Sequence, residues 1–243
     1  MITRRVYQPA GKNRPVTTAR ADCPDVGSSV SEGVRWYPRV RVERYSPAQT
    51  AWAMGRFGPV LHGDRLRQLF HEPEDGIVLD EGNSMVNGGL TNIINLLTGT
   101  APSGNHSRVL SLGLGGGAAG SAVVGVGSDG TTAFAAAQAH LANASGEGAG
   151  NSWYQSMDVG YPTLTTPATI NGQSTFQAGD ANFLWAEWCW AAGAGVPTAG
   201  AVLANVYATA GSVVMMNRKI PASPLGSKQS GAAWVFNTSV TFS

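Results

Sequence analysis

Two carboxylates stand in apolar surroundings: Glu187, inside Asn182-Phe-Leu-Trp-Ala-Glu-Trp-Cys-Trp190, and Asp180 just before that run. A pair of carboxylates flanking a cleft is what glycoside hydrolysis requires. On an extended chain these two would lie roughly 23 Å apart at about 3.3 Å per residue, too far to cooperate unless the chain folds back. A lone carboxylate between Trp185 and Trp188 is costly to bury without a base. The expectation is therefore a structural ion pair between Glu187 and a base on a following strand, Arg218 or Lys219. The tryptophans offer a second kind of chemistry, since Trp188 and Trp190 share a face of an extended chain and a stacking platform for sugars or bases needs such a pair.

Other candidates are weaker. The four histidines, His62, His71, His106 and His140, are scattered, and no His-x-x-x-His pair, nucleophile elbow or P-loop is present. His71 beside Glu72-Pro-Glu-Asp75 has the donor types of a metal site, but adjacent spacing and Pro73 favour a solvated turn. Gly113-Leu-Gly-Gly-Gly-Ala118 matches a dinucleotide loop in form, yet a strand rather than a helix is expected after it. Cys23 and Cys189 make neither a disulfide framework nor a zinc set, so reduced thiols are expected. No catalytic set, metal or cofactor is expected, and an enzyme is the least favoured class.

The elements that would position these residues are mostly strands. Period-two alternation puts Phe183, Trp185, Glu187 and Cys189 on one face of Ala181–Ala191 and Leu184, Ala186, Trp188 and Trp190 on the other. Both faces are largely apolar, which predicts a central strand covered on each side. Residues 1–33 have no period and read as an extended arm. Val34–Tyr45 reads as a strand with one charged face, which Pro38 places near an edge or divides. Residues 46–75 read as a long connection with one short helix near Gly63–Phe70, and 76–86 as a strand and turn. Leu90, Ile93, Ile94 and Leu97 predict a helix over 87–99 packed on the sheet. A strand ending in a turn follows at 121–130, then an Ala-rich helix, Ala133–Asn143, capped by Thr131 or Thr132 and holding a partly exposed His140. Further strands are expected at Trp153–Tyr161, Ala168–Ala178 (with a turn signal at Asn171-Gly172), Val202–Ala208, Ser212–Lys219 and Trp234–Phe242. The fold class is mainly β: a β-sandwich or jelly-roll-like body over 76–243, one or two short helices, and an extended basic arm and connection over 1–75.

Composition sharpens this plan. Only 13% of the 243 residues are charged, and 32 are glycine, about half and double the usual shares. The net charge of +1 conceals nine bases against four acids in residues 1–45, which leaves seven bases against eleven acids for the rest. A basic arm on a nearly neutral body suits docking onto an acidic surface or a nucleic acid. Neither an apolar leader segment nor a run of about 18 apolar residues is present, so no membrane role is expected.

Asp180–Trp190, Met216-Asn-Arg-Lys219 and Leu225-Gly-Ser-Lys-Gln-Ser-Gly-Ala-Ala-Trp-Val-Phe236 resemble the C-terminal half of small structural proteins of tailed bacteriophages. Val124–Ala133 and Glu81–Leu90 resemble further segments of that group, so the likeness covers about residues 76–243. It implies a non-enzymatic virion component, assembled in the host cytoplasm, with a capsid decoration or cement role favoured. The implied partners are the phage major capsid protein and further copies of the chain, as a trimer; the basic arm lies outside the likeness, and its charge leads to the expectation that Arg4, Arg5, Lys12, Arg14, Arg20, Arg35 and Arg39 meet the capsid. Nucleic acid is not the expected partner. Trp185, Trp188, Trp190, Trp234 and Phe236 are expected in core and oligomer contacts. Alternatives are a tail, baseplate or fibre component, and a carbohydrate-binding module using the tryptophan strand.

Overall fold

The alternation of Ala233–Phe242 makes it the spine of one sheet. In the computed structural model, which describes residues 36–82, 84–85, 87, 89–91, 122–134, 141, 151–165, 169–193 and 213–242, this strand pairs antiparallel on both sides. In chain order the elements are β1 (Trp36–Tyr45), α1 (Pro47–Phe57), α2 (Gly63–Leu69), β2 (Ile77–Glu81), β3 (Ser84–Met85), β4 (Ala122–Gly127), β5 (Ser152–Ser156), β6 (Thr163–Thr165), β7 (Thr169–Phe176), β8 (Leu184–Trp185), β9 (Glu187–Gly193), β10 (Val213–Lys219), β11 (Gly226–Ser227) and β12 (Ala233–Phe242). One five-stranded sheet has the order β2-β1-β12-β7-β6, a second the order β3-β10-β9-β4-β5, and β8 pairs with β11 alone. The protein is mainly β, with a sandwich-like body and short helices.

The even-numbered side chains of β12 explain why the sheets stack. Trp234 meets Trp185 with ring centroids 4.8 Å apart, and Phe236 meets Trp188 at 5.8 Å. Val40, Val42, Val124, Val126, Phe176 and Leu225 complete that core. The odd-numbered face of the first sheet is covered by the helices, where Ala53, Leu61 and Leu66 pack on Tyr45, Ala233 and Val235. As expected from its two apolar faces, β9 is central in its sheet.

Several expectations need correction. Residues 36–75 are not an arm or a connection: β1 pairs along its length with β12, and Arg39–Glu43 pair with β2. Pro38 does not divide the strand, but β1 does lie near an edge of its sheet, beside the short edge strand β2. The Pro38 carbonyl accepts from Gly82 N at 2.9 Å, so its missing N–H also faces the Gly82 side, just beyond the end of short β2, and the ladder to β12 loses no bond. Arg39 is therefore a strand residue, exposed and opposite Glu81, while Arg4, Arg5, Lys12, Arg14, Arg20 and Arg35 lie outside the described residues. Helix α1 was not anticipated, although Ser46-Pro-Ala-Gln49 spells a capping box: Ser46 Oγ accepts from Gln49 N, and Gln49 Oε1 accepts from Ser46 N. Asn171-Gly172 is not a turn, because β7 runs straight through it. A Cβ at 172 would come within 2.6 Å of Met157 Cε, so the flexible Met157 side chain would have to shift to admit one.

Residues 87 and 89–91 are helical, but Leu90 is 49% exposed, and Gly89, not Leu90, faces the backbone of Met216 on β10. The remainder of that expected helix lies outside the described residues. Residues 131–134 are not helical. Leu141 is not helical either, and the rest of the expected helix Ala133–Asn143 lies outside the described residues; Asp129 closes a local turn, accepting from Thr131 N at 2.7 Å and Thr132 N at 3.0 Å. The expected strand Val202–Ala208, the loop Gly113–Ala118, Cys23, His106 and His140 also fall outside the described residues.

Candidate functional site

Glu187 opens β9 and Arg218 lies near the end of β10, in adjacent strands of the second sheet. Arg218 Nε donates to Glu187 Oε2 at 2.6 Å, and both side chains are 0% exposed. A guanidinium Nη1 also donates to Thr132 O at 3.0 Å, which ties the segment after β4 across the sheet. Gly127, opposite Glu187 in the ladder, leaves room for the carboxylate, since a Cβ there would collide with Oε1. Lys219, one residue on, lies opposite Trp188 in the ladder. On the Arg218 side of β9 the Cys189 thiol is pushed well above its ordinary pKa by burial and then by the Glu187 charge, so it stays a thiol. Tyr154 shares this face and accepts Leu141 N at 3.2 Å.

The tryptophans form no platform. Trp185, Trp188 and Trp190 are buried to within 1% of full coverage. Trp188 Nε1 donates to Asp80 Oδ2 at 2.9 Å, and Trp185 Nε1 to Ala181 O at 3.0 Å. Burial holds the Asp80 carboxyl above its usual range, against the pull of that hydrogen bond and of Lys219. Trp190 packs with Ile170 and Val240. Ala181–Ala191 is not one strand: Ala186 N turns to Gly127 O at 2.8 Å, and Trp185 O accepts from Leu225 N at 2.8 Å. That break moves Trp185 out of strict alternation and into the same core as Trp188. Because Trp185, Trp188, Trp190, Trp234 and Phe236 are all buried within one chain, they are core residues and not oligomer contacts.

A second polar cluster was missed from the sequence. On the helix-covered face of the first sheet, Arg67 Nε donates to Glu43 Oε2 at 3.0 Å and its Nη1 to Asp64 Oδ1 at 2.7 Å. Its Nη2 reaches Gln173 Oε1 at 2.7 Å and also Asn237 Oδ1. Burial works against the Arg67 cation, but Glu43 and Asp64 outweigh it and hold the group above its ordinary value. Nearby, Asp158 Oδ2 accepts from Thr175 Oγ1 at 2.6 Å and Gln173 Nε2 at 2.8 Å, and Oδ1 accepts from Thr175 N at 2.9 Å. Burial, then Glu43, pushes the Tyr45 hydroxyl far up. The contributors come from β1, α2, the segment after β5, β7 and β12. Only the i, i+3 spacing of Asp64 and Arg67 was a local signal.

These clusters spend their charges on one another, which suits holding layers in register rather than meeting a substrate. Among the described residues no group of three or more His, Cys, Asp or Glu could hold a metal. Glu72, Glu74 and Asp75 are exposed in their turn, as expected. No family model matches the chain, and neither do the curated proteins or solved structures compared with it. No helix among the described residues is long and apolar enough to cross a membrane.

Proposed function

We propose that the chain is a non-enzymatic structural component of a tailed-bacteriophage virion, acting as a capsid decoration or cement protein on the major capsid protein. The observation that carries this reading is the fate of the chemistry-bearing residues: Glu187 is closed into a fully buried ion pair with Arg218, and the buried Glu43 is spent on Arg67, which also meets the exposed Asp64. A body held this way is suited to bear load. The sequence likeness over residues 76–243 supplies the virion context, and the basic residues Arg4, Arg5, Lys12, Arg14, Arg20 and Arg35 supply the means of attachment. Cement of this kind acts by mass action, binding the assembled shell and not its free subunits, and so raises the shell's resistance to heat and pressure.

The test is co-sedimentation of the full chain, and of a form lacking residues 1–33, with purified expanded shells. Strand β1 begins at Trp36, so the truncated form keeps every strand of the first sheet. Binding by the full chain, a rise in shell melting temperature, and loss of both on truncation are expected. Location of the protein on the tail alone in labelled particles would sink the cement role.

A further inference from the structure

Helix α1 turns to solvent a face centred on Trp52, the middle residue of Pro47–Phe57, which is 54% exposed. Tryptophan contributes more to interfaces than almost any other side chain. The ground around it is polarised along the helix. At the C-terminal end, Arg56 lies over the Trp52 ring at 5.7 Å, and Arg65 of α2 lies over the Phe57 ring at 5.3 Å. Both arginines are exposed, and neither enters an ion pair among the described residues.

From α2 the chain runs back beside α1. Phe70 meets Trp52 edge-on at 5.6 Å. The turn after it is clamped to the other end of α1, with Gln49 Nε2 donating to Glu72 O at 3.1 Å, Gln49 Oε1 accepting from Glu74 N at 2.9 Å, and Ser46 Oγ bonded to the Glu74 carboxylate. That turn exposes Glu72, Glu74 and Asp75. From one end of α1 to the other the surface is thus basic, then aromatic, then acidic.

We propose that this surface pairs with the same surface of a second copy, the two α1 helices lying antiparallel about a two-fold axis through Trp52. Such an axis sets each acidic turn on the partner's Arg56 and Arg65 and brings the two indoles together, which is the self-complementarity an isologous contact demands. A parallel arrangement would oppose like charges. Other occupants match one end only: residues 1–35, with six bases against three acids, suit the acidic turn but are repelled at Arg56, and a polyanion meets the reverse difficulty. The outward neighbours Ala48, Ala51 and Gly55 are small, which permits helix axes to approach to about 8–10 Å. An 11-residue helix is about 16 Å long, so the contact belongs to the class below about 1,200 Å² and forms a weak, reversible dimer. The inference goes beyond the virion reading and does not depend on it.

Sedimentation of the purified full chain over a concentration series tests it. Wild type is expected to show a monomer–dimer equilibrium that weakens as salt rises. The variants Arg56→Glu/Arg65→Glu and Glu72→Arg/Asp75→Arg should each lose at least about tenfold in self-affinity, with circular dichroism unchanged. Mixed in equal amounts they should dimerise again, because every reversed end then meets its complement. Trp52→Ala should weaken association without restoring anything on mixing. A wild-type chain that stays monomeric, a salt-insensitive oligomer, or folded reversal variants that associate alone or fail to recover on mixing would overturn the proposal. Salt dependence of the unaltered chain keeps the test decisive even if a variant misfolds.

Discussion

Removing one member of the Glu187–Arg218 pair should cost more than removing both. Each charge is 0% exposed, so Arg218→Leu strands a carboxylate in the core and is expected to lose about 3–5 kcal/mol, whereas Glu187→Leu/Arg218→Leu should recover much of it. Urea denaturation of the three proteins measures this, and a double variant as weak as the single would refute it. The same buried face predicts an inert thiol at Cys189: in a Cys23→Ser background, an aromatic disulfide reagent should label nothing until the protein unfolds, and fast native labelling would contradict the burial. The partnership of Glu187 was legible because a carboxylate flanked by indoles demands a base, and the following strand Ser212–Lys219 offers two, of which Arg218 makes the pair. The Arg67 cluster was not legible, because Glu43, Gln173 and Asn237 reach it from strands far apart in the chain.

Elements were readable where a period was clean and misread where a local device interrupted it. Strand β12 was legible in Trp234–Phe242 because nothing breaks its alternation. Ala181–Ala191 looked like one strand because the hydrogen bonds that divide it, Ala186 N to Gly127 O and Leu225 N to Trp185 O, come from distant segments. Helix α1 had a local signature in Ser46-Pro-Ala-Gln49, but its buried side is short and partly polar, holding Gln49, Thr50 and Ala53, so no apolar stripe drew attention to it. Its cap is also a clamp: Ser46 Oγ accepts from Gln49 N at 3.1 Å and bonds Glu74. Ser46→Ala is therefore expected to cost about 1–2 kcal/mol, toward the upper end for a lost N-cap. Thermal unfolding followed by circular dichroism checks it, and a change below a few tenths would mean that the clamp contributes nothing.

At the scale of the whole molecule, the crossing from the first sheet to the second runs through residues 177–186, and one lysine holds it. Lys228, 3% exposed, donates from Nζ to Gln177 O and Asn182 Oδ1, both at 2.8 Å, while its own N–H bonds Phe183 O at 3.0 Å. Burial lowers its pKa from 10.5 to about 8, with Asp180 pulling the other way. The sign of the linkage follows. Below pH 8 both folded and unfolded chains carry the proton, and the buried ammonium is a constant cost. Between pH 8 and 10.5 the unfolded chain binds more protons than the folded one, so this group's contribution to stability rises with pH. Cys189 and Tyr45 act oppositely, since burial raises their folded pKa values above the ordinary 9.0 and 10.0, and their stabilisation is lost as the unfolded groups ionise. The wild-type curve should accordingly turn over. The difference between wild type and Lys228→Met removes those shared terms and isolates the lysine. That difference should shift in favour of wild type by on the order of 2 kcal/mol between pH 7.5 and 10. Urea denaturation at intervals across that range measures it. A flat difference would mean that the ammonium at the sheet crossing is solvated, and that the two carbonyl contacts, not its burial, govern its protonation.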